Sequence, residues 1–206
     1  MLYTRYKPAF ERVALWPARL LARLGVSPSA ITIAGFVLVI ACCLFYLMTG
    51  RTVAFCVLVT LSSLFDVLDG AVARLTNRVT RFGAYLDAMT DRYGESIVVL
   101  TVATMTGYWA LSLWLLAGSL ITSYAKARAA MEVPISNYEW PDFMERGERD
   151  IAYIVGLAVS VLVPVTPGGH DIFWWTLLIL CILVHGTVLQ RLMRARRIIL
   201  ARSANQ

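Results

Sequence analysis

DVLDGAVARLTNRVTRFGAYLDAMTD, running from Asp66 to Asp91, sets four carboxylates (Asp66, Asp69, Asp87 and Asp91) inside two apolar segments of an apolar chain. A charge at membrane depth costs roughly 2.5 kcal/mol or more, so acids placed there need a partner and mark a functional site. On helices, Asp66 and Asp69 stand three apart and Asp87 and Asp91 four apart, so each pair shares a face. Two facing helices then offer four carboxylates to a cation. Gly70 and Ala73 share the face of the first pair and Gly83 lies one turn before Asp87, so small residues let a bulky ligand come close. Oxygen ligands with no interleaved His or Cys favour a hard divalent ion over zinc, and Mg²⁺ or Mn²⁺ is the expectation.

Of the 206 residues, 59% are hydrophobic and 16% charged, with a mean hydropathy of +0.68. That balance excludes an ordinary soluble domain and points to an integral membrane protein. No Gly/Ser-rich or Pro-rich linker divides the chain, so residues 1–206 read as a single domain. The formal charge of +6 does not mark a nucleic-acid binder, because the basic residues sit at the ends of apolar segments. Cys42, Cys43, Cys56 and Cys181 lie in apolar runs without metal-type spacing and read as small core residues.

Working outward, residues 1–25 mix Arg5, Lys7, Arg12, Arg19 and Arg23 with Phe10, Leu15, Trp16, Leu20 and Leu24. This amphipathic pattern predicts an interfacial helix, broken or bent near Pro17, and lacks the apolar run of a cleavable signal. Spanning helices are predicted over roughly 29–48, 52–75, 80–105, 109–131, 149–164 and 171–198. The expected fold is therefore all-α and polytopic: six transmembrane helices over 29–198 plus the N-terminal surface helix. Of the nineteen Lys and Arg, only Arg51 falls in a loop on the side away from the N-terminus. The positive-inside rule makes the other side cytoplasmic, with both termini there, in a multi-pass protein of the cell membrane. At about 1.5 Å per residue the aspartates lie roughly 10 Å below that interface, open to soluble metabolites from above and to lipid from the side.

Two divalent ions on bridging carboxylates can clamp a pyrophosphate. Asp66-x-x-Asp69-Gly70-x-x-Ala73-Arg74, then eight residues, then Gly83-x-x-x-Asp87-x-x-x-Asp91 resembles the CDP-alcohol phosphotransferase signature at every fixed position. The resemblance implies that Asp66, Asp69, Asp87 and Asp91 serve the metal site, with Asp91 also the general base toward the acceptor hydroxyl. It implies that Asp66, Asp69, Gly70, Ala73, Arg74 and Gly83 surround the cytidine diphosphate, that CMP leaves, and that the protein is a homodimer. Arg92 reads as a counter-charge beside Asp91. Glu95 continues the Asp87–Asp91 stripe as either a structural acid or an acceptor contact.

The acceptor is read from Ser123-Tyr124-Ala125-Lys126-Ala127-Arg128-Ala129 and Glu145-Arg146-Gly147-Glu148-Arg149. Both stretches resemble the branch of the family that makes phosphatidylinositol phosphate in bacteria and archaetidylinositol phosphate in archaea. In that branch Lys126, Arg128, Arg146, Arg149 and Arg191 would hold the phosphate of inositol 1-phosphate. The expected activity is transfer of a phosphatidyl-type group from a CDP-lipid to L-myo-inositol 1-phosphate. The alternatives are another acceptor such as glycerol 3-phosphate, a soluble CDP-alcohol donor, or, in another class, a cation or proton transporter. His170 and His185 read as satisfied structural residues.

Overall fold

The structure, a computed structural model, describes residues 15–133, 144 and 146–203, which are helical apart from turns and short connections. They fall into two compact units, one up to Gly107 and one from Tyr108 onward.

The first unit holds α1 (residues 15–23), α2 (Pro28–Thr49), α3 (Thr52–Ser62), α4 (Leu64–Leu75) and α5 (Arg81–Thr106). Ser27 starts α2 by accepting the Ala30 N–H at 3.2 Å, with Pro28 at the first helical position, where its missing N–H costs nothing. Thr80 caps α5 in the same way, through the Gly83 N–H at 2.9 Å. The single helix expected over 52–75 is interrupted at Ser63. At the break the Ser62 and Ser63 hydroxyls donate to the Val59 and Thr60 carbonyls at 2.7 and 2.8 Å, a competition that loosens a helix. The break leaves Asp66 in the first turn of α4.

α2 is the spine of this unit, packing against α3, α4 and α5. Tyr46 and Phe55 stack with ring centroids 4.4 Å apart across the α2–α3 turn. Gly35 brings α2 onto α4 so closely that a Cβ there would lie 2.8 Å from Phe65 Cβ. Ala18 on α1 is fully buried against Ile31, Ala71 and Val72, while Trp16, Leu20 and Leu24 remain exposed. Residues 15–23 are helical through Pro17; the rest of the expected surface helix lies outside the described residues.

The second unit holds α6 (Trp109–Glu132), α7 (Arg146–Leu162), a 3₁₀ turn at Pro167–Gly169 and α8 (Ile172–Ser203). Here α8 is the spine, packing against both α6 and α7. Asp171 caps α8 by accepting the Trp174 N–H at 2.8 Å. Phe173, Leu177, Leu180 and Val184 form its buried stripe. Gly156 lets α7 approach, since a Cβ there would lie 2.6 Å from Thr176 Oγ1.

Among the described residues, three segments can cross a membrane by length and composition: Pro28–Thr49, Thr52–Leu75 and Ile172–Arg202. The remaining expected spans differ for plain reasons. α5 carries Arg81, Asp87, Asp91, Arg92 and Glu95, α6 ends in Lys126, Arg128 and Glu132, and α7 has only 17 residues with a charged first turn.

Candidate active site

The acidic stretch folds onto two helices, with Asp66, Asp69, Gly70, Ala73 and Arg74 on α4 and Gly83, Asp87 and Asp91 on α5. Both helices lean on α2, but no comparable packing joins α4 to α5 among the described residues. The acids therefore border a gap, as the small residues beside them require. A Cβ on Gly70 would meet nothing nearer than the tip of Arg74, at 3.4 Å.

Burial separates the four acids. Asp69 is buried, at 7% exposure, whereas Asp66 is exposed and Asp87 and Asp91 are half-buried. Asp69 Oδ2 accepts a hydrogen bond of 2.5 Å from the Thr32 hydroxyl on α2, and Asp91 stands near enough for its charge to be felt there. Asp66, Arg74, Asp87 and Asp91 each have hydrogen-bonding or electrostatic partners of their own. Among the described residues no three acids close into a ready-made metal cage. The donor set is nonetheless all oxygen and borders open space, which fits Mg²⁺ or Mn²⁺ and no softer ion. Thr32 carries no signal in the sequence that marks it as part of this site.

Arg92, next to Asp91, forms an ion pair with Glu95, one turn on, at 3.1 Å. Arg92, Glu95 and Asp91 each have further hydrogen-bonding or electrostatic partners.

The five basic residues expected around an acceptor phosphate all lie in the second unit. Lys126 and Arg128 are near the end of α6, Arg146 and Arg149 open α7, and Arg191 is on α8. Arg149 and Arg191 are buried, at 5% and 8% exposure, which is unusual for arginine and costly without partners. Arg191 donates to the Thr122 carbonyl of α6. Arg146 lies 3.4 Å from Asp150, and the exposed Arg128 pairs with Glu132 at 2.6 Å. Of the histidines, His170 stacks on Trp174 at 4.1 Å. His185 packs on Trp114 at 4.5 Å, and its buried Nε2 has no hydrogen-bond partner among the described residues.

Comparison with known proteins bears on this geometry. A family profile described as CDP-alcohol phosphatidyltransferase matches residues 25–144. An archaetidylinositol phosphate synthase of Aeropyrum pernix is 34% identical over 164 residues, covering 78% of this chain and 81% of the relative. A crystal structure of Mycobacterium tuberculosis phosphatidylinositol phosphate synthase with CDP-DAG bound aligns with a TM-score of 0.77 at 32% identity, covering 89% of this chain and 94% of that one. The same enzyme in complex with manganese and citrate gives 0.76 at 31% identity, covering 88% of each chain.

Proposed function

The chain belongs to the CDP-alcohol phosphatidyltransferase family, and from that premise we propose that it transfers a phosphatidyl-type group, diacylglycerol phosphate or archaeol phosphate, from a CDP-lipid to L-myo-inositol 1-phosphate, releasing CMP. One observation carries this reading. The complete eight-residue pattern stands on two helices that border a gap, in a chain similar to archaeal and bacterial synthases named for inositol phosphate lipids.

In this reading Asp66, Asp69, Asp87 and Asp91 hold two divalent ions, Mg²⁺ or Mn²⁺, which when bound neutralise the diphosphate and stabilise its entering and leaving oxygens. Gly70, Ala73, Arg74 and Gly83, with Asp66 and Asp69, seat the cytidine diphosphate. Asp91 takes the proton of the acceptor hydroxyl as that oxygen attacks the lipid-bearing phosphorus. The bond from this phosphorus to the bridging oxygen breaks, and CMP leaves with the electron pair. Lys126, Arg128, Arg146, Arg149 and Arg191 hold the acceptor's phosphate. The CDP-DAG and manganese in the neighbouring structures support the donor and the type of ion.

The reading includes six spans, a cytoplasmic site in the cell membrane and a homodimer, the last resting on the family alone. The lengths of α5 and α6, 26 and 24 residues, support the larger span count, since about 20 residues suffice. The family match runs through the Gly107–Tyr108 boundary, which supports treating the two units as one functional domain.

The test is CMP release by the purified chain with Mg²⁺ and either CDP-diacylglycerol or CDP-archaeol, comparing inositol 1-phosphate with inositol, glycerol 3-phosphate and serine. Release dependent on inositol 1-phosphate is expected. Release with another alcohol would keep the reaction and overturn the acceptor, and none from folded protein would overturn both.

A further inference from the structure

We infer that Thr32 is a positioning residue for the proposed metal site, its hydroxyl fixing the orientation in which the Asp69 carboxylate is presented to the ion. This rests on the function proposed above, in which Asp69 is a metal ligand.

The geometry is specific. Thr32 and Asp69 are both buried, at 8% and 7% exposure, and they lie on different helices, 37 residues apart in sequence. The hydroxyl has two acceptors in reach, Asp69 Oδ2 at 2.5 Å and the Pro28 carbonyl at 3.2 Å. It has one proton to give. The shorter contact falls in the range of a bond to a charged oxygen, about 2.5–2.7 Å, and takes that proton. Asp69 Oδ2 is thereby held in place, and the carboxylate, which also accepts from the Gly70 N–H, keeps further lone pairs that can turn to an ion.

The backbone is arranged to make this bond possible. Gly35 lies one turn after Thr32 on α2, and Phe65 one turn before Asp69 on α4; Gly35 and Phe65 meet at the tight crossing described above. Carboxylates that hold ions are commonly fixed by such outer hydrogen bonds, whose loss typically weakens metal affinity or activity by about 10–100-fold.

The experiment compares the full chain with Thr32→Val, Thr32→Ser and Asp69→Asn in detergent. Mn²⁺ is titrated in the presence of CMP and followed by the electron paramagnetic resonance of the free ion, with CMP release measured as a function of Mn²⁺. Thr32→Val, which keeps the branch and loses the proton, is expected to weaken Mn²⁺ binding by about 10–100-fold. Its activity should recover toward wild type at saturating Mn²⁺, and Thr32→Ser should behave like wild type throughout. A Thr32→Val protein with wild-type Mn²⁺ affinity, beside an Asp69→Asn protein that binds poorly, would overturn the inference alone. Unchanged affinity in Asp69→Asn would overturn the metal-ligand reading and the inference with it. Should Thr32→Val fail to fold, Thr32→Ala takes its place, and a loss in Thr32→Ser equal to that in Thr32→Ala would overturn the role of the hydroxyl.

Discussion

A carboxylate that must accept a proton cannot give every lone pair to an ion, and Asp91 is proposed to do the former. Asp91→Asn keeps the shape and removes the basicity. It should lower the rate of CMP release at saturating substrates by about 10²–10⁴-fold, while weakening Mn²⁺ binding less than Asp66→Asn does. On the acceptor side, Lys126 is half-buried on α6. A hydrogen bond to a charged group is worth about 1.5–3 kcal/mol, so Lys126→Ala should raise KM for inositol 1-phosphate by about 10–100-fold. Kinetics with each substrate varied in turn check this, because KM for the CDP-lipid should stay unchanged. The acids were legible from sequence because their cost in an apolar segment has few explanations and their spacing is fixed. Thr32 was not legible. A threonine in an apolar helix ordinarily returns its hydroxyl to the carbonyl four residues back, as Thr49, Thr60 and Thr76 do here. Thr32 makes that contact too, and only the fold reveals the second acceptor.

Helix against helix, two glycines set how closely the spines are approached. Gly35→Val would place its Cβ within 2.8 Å of Phe65 Cβ, forcing α2 and α4 apart at a cost of about 1–3 kcal/mol. The expected outcome is a lower thermal unfolding midpoint together with weaker Mn²⁺ binding, since Asp69 sits on the displaced face. Gly156→Val, against Thr176 in the other unit, should lower the midpoint and leave Mn²⁺ affinity as it was. Thermal scans and Mn²⁺ titrations of the two variants together separate the effects. Helix positions were largely readable, because Ser27-Pro28, Thr80 and Asp171 announce starts by side-chain chemistry. The interruption at Ser63 was hidden, because the run from 52 to 75 is apolar on both sides of it and serine hydroxyls reveal their choice of carbonyl only in the folded helix.

Across the molecule, the distribution of basic residues argues for orientation, with Arg51 alone in the turn between α2 and α3. In a background lacking the four native cysteines, Arg51→Cys should react with an impermeant maleimide from outside the cell. Arg78→Cys should react only after the membrane is opened. The class of the protein could be read from composition at once, but the division at Gly107 could not, because no linker composition marks it. One feature of the first unit reaches beyond geometry. α4 and α5 both rest on α2, with no comparable packing between them among the described residues, and the charge of Asp91 on α5 is felt at Asp69 on α4. A ligand seated between them would act as the missing mortar. With Mn²⁺ held constant, CMP at about 100 times its dissociation constant should add about 2.7 kcal/mol to stability, seen as a concentration-dependent rise in the unfolding midpoint that Asp69→Asn abolishes. With that rise, the lifetime of the protein in the cell would follow the supply of nucleotide and metal.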